Sequence, residues 1–205
     1  MTTRNQQLRD RTRRAVQQEI AEAATALFAE RGFEATTIGD IAAAVGMSQS
    51  SVFRYFGTKE EIVLGKFGFV VDDMLATLRA RPAGEPVWTS LRAAIDVLVS
   101  LADLPVNEQL VAPVHRMIFE TPALSAGYLQ KLQDLQEAVV AELRARAEAA
   151  GKPYAAGDPA PRALTAAAFG CLVAAQHSWL DSGAKGSYAE AIDRAMATIT
   201  PAHPS

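Results

Sequence analysis

From Val16 to Ile199 the apolar residues of this chain return every three or four positions, broken at intervals by glycine and proline. The alternation that a half-buried strand would need never takes over. Val16, Ile20, Ala23, Leu27 and Phe28 share one face of a first helix, and Gly32 stands where a residue without Cβ ends it cheaply. A helix with one apolar stripe must bury that stripe against another, so the periodicity confines the chain to an all-α fold. At 205 residues the chain has room for a small domain joined to a larger one.

The punctuation between the stripes is specific. Thr37 and Asp40 are spaced as a capping box leading into Ile38, Ile41, Ala42 and Val45, and Gly46 ends that short helix. Ser48 suits the N-cap of a third helix over Gln49–Phe56; Gly57 stops it, and Thr58 caps a fourth that begins at Lys59 with Glu60 and Glu61 in its first turn. The apolar pattern then runs on through Phe67, Val70, Met74 and Leu78, which predicts one linking helix from Lys59 to about Arg81. Further stretches at 87–104, 106–120, 124–149, 163–180 and 188–199 bring the expected total to about nine helices, with Gly151–Pro161 as the one loose segment. The expected division is a small domain over residues 1–58 and a larger one over 59–205.

Composition excludes more than it identifies. With 49% hydrophobic and 21% charged residues, wholesale disorder is out. The longest nearly apolar stretch, Ala163–Ala175, is shorter than the roughly 18–20 residues that cross a bilayer, so no membrane span is expected. Arg4, Arg9, Arg11, Arg13 and Arg14 have no apolar segment behind them, unlike a secretory signal, and the expectation is a cytoplasmic protein. Cys171 sits in an apolar helical pattern as a small buried hydrophobe. No phosphate-cradling glycine loop, zinc-binding helix or nucleophile elbow occurs, and His115, His177 and His203 form no recognisable ligand set, so neither an enzyme nor a metal or cofactor is expected. Charge is unevenly distributed: residues 1–14 hold five arginines against one acid, whereas residues 67–205 hold eleven basic against fifteen acidic residues. One end of the chain suits a polyanion and the rest does not.

Residues 38–56 meet the demands of a helix-turn-helix at several independent positions. Ala42 is small where two helices cross, Gly46 allows a left-handed turn, and Ile41, Val45, Met47 and Val52 make a shared miniature core. Gln49, Ser50, Ser51, Arg54 and Tyr55 are then left facing outward on a helix short enough to enter a major groove.

Over residues 13–63 the chain closely resembles the DNA-binding region of tetracycline-repressor-type transcriptional regulators. The resemblance rests on Leu27-Phe28, Gly32-Phe33, Thr36-Thr37-Ile38, Val45-Gly46-Met47-Ser48, and Tyr55-Phe56 followed by Lys59-Glu60. It implies a homodimer whose two reading helices enter successive major grooves of a near-palindromic operator. Thr37, Tyr55 and Lys59 would hold phosphates; Ser48, Gln49, Ser50, Ser51 and Arg54 would meet base edges and nearby backbone. Phe53 stands where the family usually has tyrosine, and Ser50 where glycine is frequent. The arginine-rich start is expected to be a disordered arm along the DNA or, equally, a solubilising tail.

The resemblance also implies that the larger domain holds a ligand between its helices and releases DNA on binding it; a DNA-binding regulator without a small-molecule effector is the alternative that the same helix-turn-helix permits. Trp88, His115, Met117, Phe119, Tyr128, Phe169, Gln176 and Trp179 are the candidate contacts. Few charges interrupt the expected inner faces, which favours an apolar or lipid-like effector, acyl-CoA-like by family analogy. Alanine-rich stretches over 162–180 and 188–199, with Gly170 among them, are expected to build the dimer interface.

Overall fold

The computed structural model describes residues 2–65, 67–102 and 108–199, and His203 lies outside them. Ten helices and no strand are present among the described residues: α1 (Thr2–Arg31), α2 (Ile38–Ala44), α3 (Gln49–Tyr55), α4 (Lys59–Leu64), α5 (Phe67–Ala80), α6 (Val87–Ala102), α7 (Glu108–Glu120), α8 (Pro122–Ala149), α9 (Ala160–Asp181) and α10 (Tyr188–Ile199). The all-α expectation holds, with one helix more than expected. The expected linking helix is two helices, because α4 ends at Gly65. A Cβ on Gly65 would lie 2.6 Å from the Glu61 carbonyl oxygen and 2.8 Å from the Phe56 ring, so the chain passes there at a separation open to glycine alone.

Helix α1 also departs from expectation. Residues 2–14, expected to be a disordered arm, continue the helix, and Thr12 bonds the Leu8 carbonyl at 3.0 Å. The segment contains neither glycine nor proline, and Gln, Leu and Arg are good helix formers.

Contacts divide the chain into two units: Met1–Lys66 with Met117–Gly127, and Phe67–Arg116 with Tyr128–Ser205. In the first, α1 packs on α2, α3 and α4 around Ile20, Ala24, Phe28, Ile41, Val52 and Ile62, each at most 4% exposed. Apart from Ala24, each of these side chains contributes about 1.5–3 kcal/mol of burial free energy. Val45 and Met47, expected in that core, are half-buried.

In the second unit α6 lies against α5 and α9, and α10 against α9 and α6. Leu91, Ile95, Leu172 and Ile192 are fully buried there. Around the α5–α6 turn, Glu85 accepts from Arg81 Nε at 2.7 Å and from Ser90 Oγ at 2.7 Å, and these bonds push its carboxyl down to about 2. Arg92 ties α6 to Asp193 of α10 at 2.6 Å. Helix α9 extends beyond the apolar stretch read from the sequence and is long and apolar enough to cross a membrane by length and composition. Phe169, Cys171, Leu172 and Ala175 are nevertheless buried within its unit, as in a core helix.

Candidate functional site

The first unit presents α3 on a frame of capped turns. Thr37 Oγ1 accepts from the Asp40 N–H at 3.1 Å, while the Thr37 N–H and hydroxyl donate to Asp40 Oδ2 at 2.9 and 2.6 Å. These donors, the hydroxyl foremost, hold the Asp40 carboxyl below the usual carboxylate range. Gly46 takes φ +64° in the turn, where its N–H bonds the Ala43 carbonyl and the Met47 N–H bonds that of Ala42. Ser48 Oγ then accepts from the Ser51 N–H at 3.1 Å and starts α3. Thr58 does the same for α4, accepting from the Glu61 N–H at 3.1 Å, and the Glu61 carboxylate accepts from the Gly57 N–H at 2.7 Å. All three caps read from the sequence are present.

Rotation of α3 about its axis is fixed by Val52, 0% exposed, and its C-terminal end is held by the capping residue Phe56, 6% exposed. Gln49, Ser50, Phe53 and Arg54 consequently face outward, whereas Ser51 and Tyr55, expected to face out, are half-buried. Ser51 Oγ lies 2.9 Å from Ser48 Oγ and accepts from Arg54 at 3.0 Å, so the serines brace the turn and orient the guanidinium. Ser50 Oγ joins the same cluster, 3.0 Å from Ser48 Oγ.

Three further residues act here, one of them read from the sequence only as part of the arginine-rich start and the other two not singled out. A helix leaves its last carbonyls unpaired, and those of α3 are met by α1: Arg13 donates to the Arg54 carbonyl at 3.4 Å and Gln17 to that of Tyr55 at 3.3 Å. The Arg13 guanidinium also stands 5.6 Å from the Tyr55 ring centroid, within cation–π range. Arg13 and Gln17 are four residues apart on one helix face, which is the signal the sequence did contain. Gly39 is the third. A Cβ there would lie 2.6 Å from Gln49 Nε2, so the bare glycine makes room for the Gln49 side chain. Lys59, expected at a phosphate, donates to the Phe33 carbonyl at 2.7 Å with its ammonium 4.3 Å from the Phe33 ring centroid. Two of its three protons remain for another acceptor.

Of the candidate ligand contacts, Met117 and Phe119 fall in the first unit and the other six in the second. Tyr128 donates to Gln176 Oε1 at 2.7 Å in the core, so those two polar anchors are directed at each other, and burial raises the Tyr128 hydroxyl well above its ordinary range. Phe169 is 2% exposed and Trp88 half-buried. His115 and Trp179 do come together, with Tyr188: ring centroids lie 6.3 Å apart for His115 and Trp179 and 5.9 Å for His115 and Tyr188. Trp179 Nε1 donates to the Gly186 carbonyl at 3.1 Å. His115 Nδ1 is buried with no hydrogen-bond partner, and burial pulls the imidazole down to about 4.

Comparison with known proteins agrees with this geometry. Residues 20–65 match the model of bacterial regulatory proteins of the tetR family, and residues 85–204 match the MftR C-terminal domain. The HTH-type transcriptional regulator TcmR of Streptomyces glaucescens is 29% identical over 143 residues, 68% of this chain and 63% of its own. The HTH-type transcriptional repressor KstR2 of Mycobacterium tuberculosis is 49% identical over 45 residues, 22% of each chain. The matches therefore span less than two thirds of either relative's length. A FadR regulator from Bacillus subtilis, solved with stearoyl-CoA, shares the fold with a TM-score of 0.61 at 16% identity, over 88% of this chain and 95% of that one.

Proposed function

The chain belongs to the tetR family of bacterial transcriptional regulators, and from that premise we propose that it is a homodimeric repressor whose α3 reads a palindromic operator and is released by a small, largely apolar effector. One observation carries the reading: Val52 and Phe56 anchor α3 while Gln49, Ser50 and Arg54 stand exposed on its far side. Gln49 can donate to and accept from adenine, and Arg54 can pair with guanine. Ser48 and Ser51 support the contact from the turn. Lys59, Tyr55 and Thr37 are the phosphate contacts, Thr37 through the proton it now gives to Asp40.

Dimerisation through α9 and α10 is supported by an outward row of small residues, Ala163, Ala166, Gly170 and Ala174, and a Cβ at Gly170 would meet nothing within 4 Å. Release by an apolar or lipid-like effector, acyl-CoA-like in its simplest form, is supported by the apolar core of the second unit and by the fold shared with a regulator solved with stearoyl-CoA. Within that unit His115, Trp179 and Tyr188 form the part best suited to a ligand. A neutral imidazole offers an uncharged ligand one donor or one acceptor.

Selection of bound sequences from random duplex DNA tests the reading. The expected result is a symmetric consensus with half-sites about 34 Å apart, and a chain that prefers no sequence is no operator reader. Stearoyl-CoA added to the selected complex should weaken it by about 5- to 150-fold, with operator weakening acyl-CoA binding by the same factor. Unchanged operator affinity would eliminate acyl-CoA as the effector.

A further inference from the structure

The reading face of α3 carries one side chain that its polar neighbours do not explain. Phe53 leaves 49% of its surface exposed, and among the described residues it is the one aromatic in the set of large exposed hydrophobics, beside Leu8, Leu129 and Ile199. Its outward direction is not a loose rotamer choice, since Val52 next to it is completely buried and fixes how the helix is turned. Side chains on a helix lean toward its N-terminus, so the ring lies over the turn that carries Gln49 and Ser50, four and three residues earlier. Both of those are exposed, and Ser50 is too short to cover an aromatic ring.

Resting on the proposed reading of DNA by α3, the chemistry then narrows. Phosphates and most base edges in the major groove are polar, and a phenyl ring gives them neither donor nor acceptor. The apolar group the groove does display is the C5 methyl of thymine. We infer that Phe53 determines specificity by packing its ring against a thymine methyl within about two base pairs of the one Gln49 contacts. A tyrosine here would offer a hydroxyl to a phosphate; phenylalanine trades that position-holding contact for a sequence-reading one. The operator should therefore hold, in each half, a thymine whose methyl matters more than its pairing edge.

Replacing thymine by deoxyuridine removes that methyl and leaves every pairing atom in place. The selected operator is prepared with each thymine replaced in turn, symmetrically in both halves, and titrated with the full chain and with Phe53→Ala and Phe53→Leu. One position should weaken wild-type binding by about four-fold per half-site, the effect of one methyl-sized burial. In Phe53→Ala that loss should vanish, and in Phe53→Leu part of it should remain. Wild-type indifference to every substitution overturns the inference, as does a loss that persists undiminished in Phe53→Ala. If random-sequence selection yields no consensus at all, the reading of DNA by α3 fails first, which separates the two failures.

Discussion

At the scale of single residues, the Gln49 side chain occupies space that Gly39 leaves open on another helix. Gly39→Ala should leave stability unchanged or raise it by up to about 1 kcal/mol, since alanine suits a helix better. Because the added Cβ clashes with the far end of a flexible side chain and stands at an ordinary 3.4 Å from Thr37 Oγ1, the change should instead displace Gln49 and lower its discrimination, worth about 1–3 kcal/mol for a good bidentate contact. Competition titration with operators altered base by base checks this; identical preferences in the two proteins would show that Gly39 does not set the position of Gln49. Lys59→Ala should weaken all sequences alike and reduce the salt slope by about one per protomer, as loss of one phosphate contact requires. An unchanged slope would assign Lys59 wholly to the Phe33 carbonyl. The cation–π pairing of Arg13 with Tyr55 was illegible for the same reason as Gly39: it joins residues 42 positions apart through α1 and α3.

Helix ends were legible where chemistry is local and obscure where it is not. Thr37 with Asp40, Ser48, and Thr58 each announce a cap because the bond spans three residues. The break at Gly65 went unseen because Phe67, Val70 and Met74 continue the apolar spacing of α4 without a change of residue type. The break falls where Gly65 packs against the Phe56 ring, a contact from outside α4 that no spacing of apolar residues displays. The helical start of α1 was equally hidden, since polar residues with good helix propensity show no apolar stripe. Between α2 and α3, Gly46 carries the turn, and Gly46→Ala should cost about 1–2 kcal/mol for placing a Cβ in the left-handed region. A fall in the thermal midpoint of about 2–8 °C is expected for a chain of this length, and no shift would mean that the turn re-forms with ordinary dihedrals.

For the molecule as a whole, acid should find its weak point among the rings of α7, α9 and α10. Burial holds His115 near 4 against 6.5 in an open chain, so the unfolded state binds the proton more readily. Its neutral form supports the fold fully above pH 6.5, and that support declines as pH falls toward 4. Between pH 7 and pH 5 the wild type should lose about 2 kcal/mol through this group alone, and His115→Gln should lose that much less. Urea unfolding at the two pH values checks the difference; parallel losses in both proteins would place the acid sensitivity elsewhere. The first unit has a separate peculiarity, because it takes Met117–Gly127 from deep within the chain, and a Cβ on Gly127 would lie 2.7 Å from Leu64 Cδ1. Anyone exchanging readers between relatives by splicing at residue 66 would therefore deliver an incomplete one. A working chimera must graft two stretches together, the amino-terminal segment and the eleven-residue insert that closes over it.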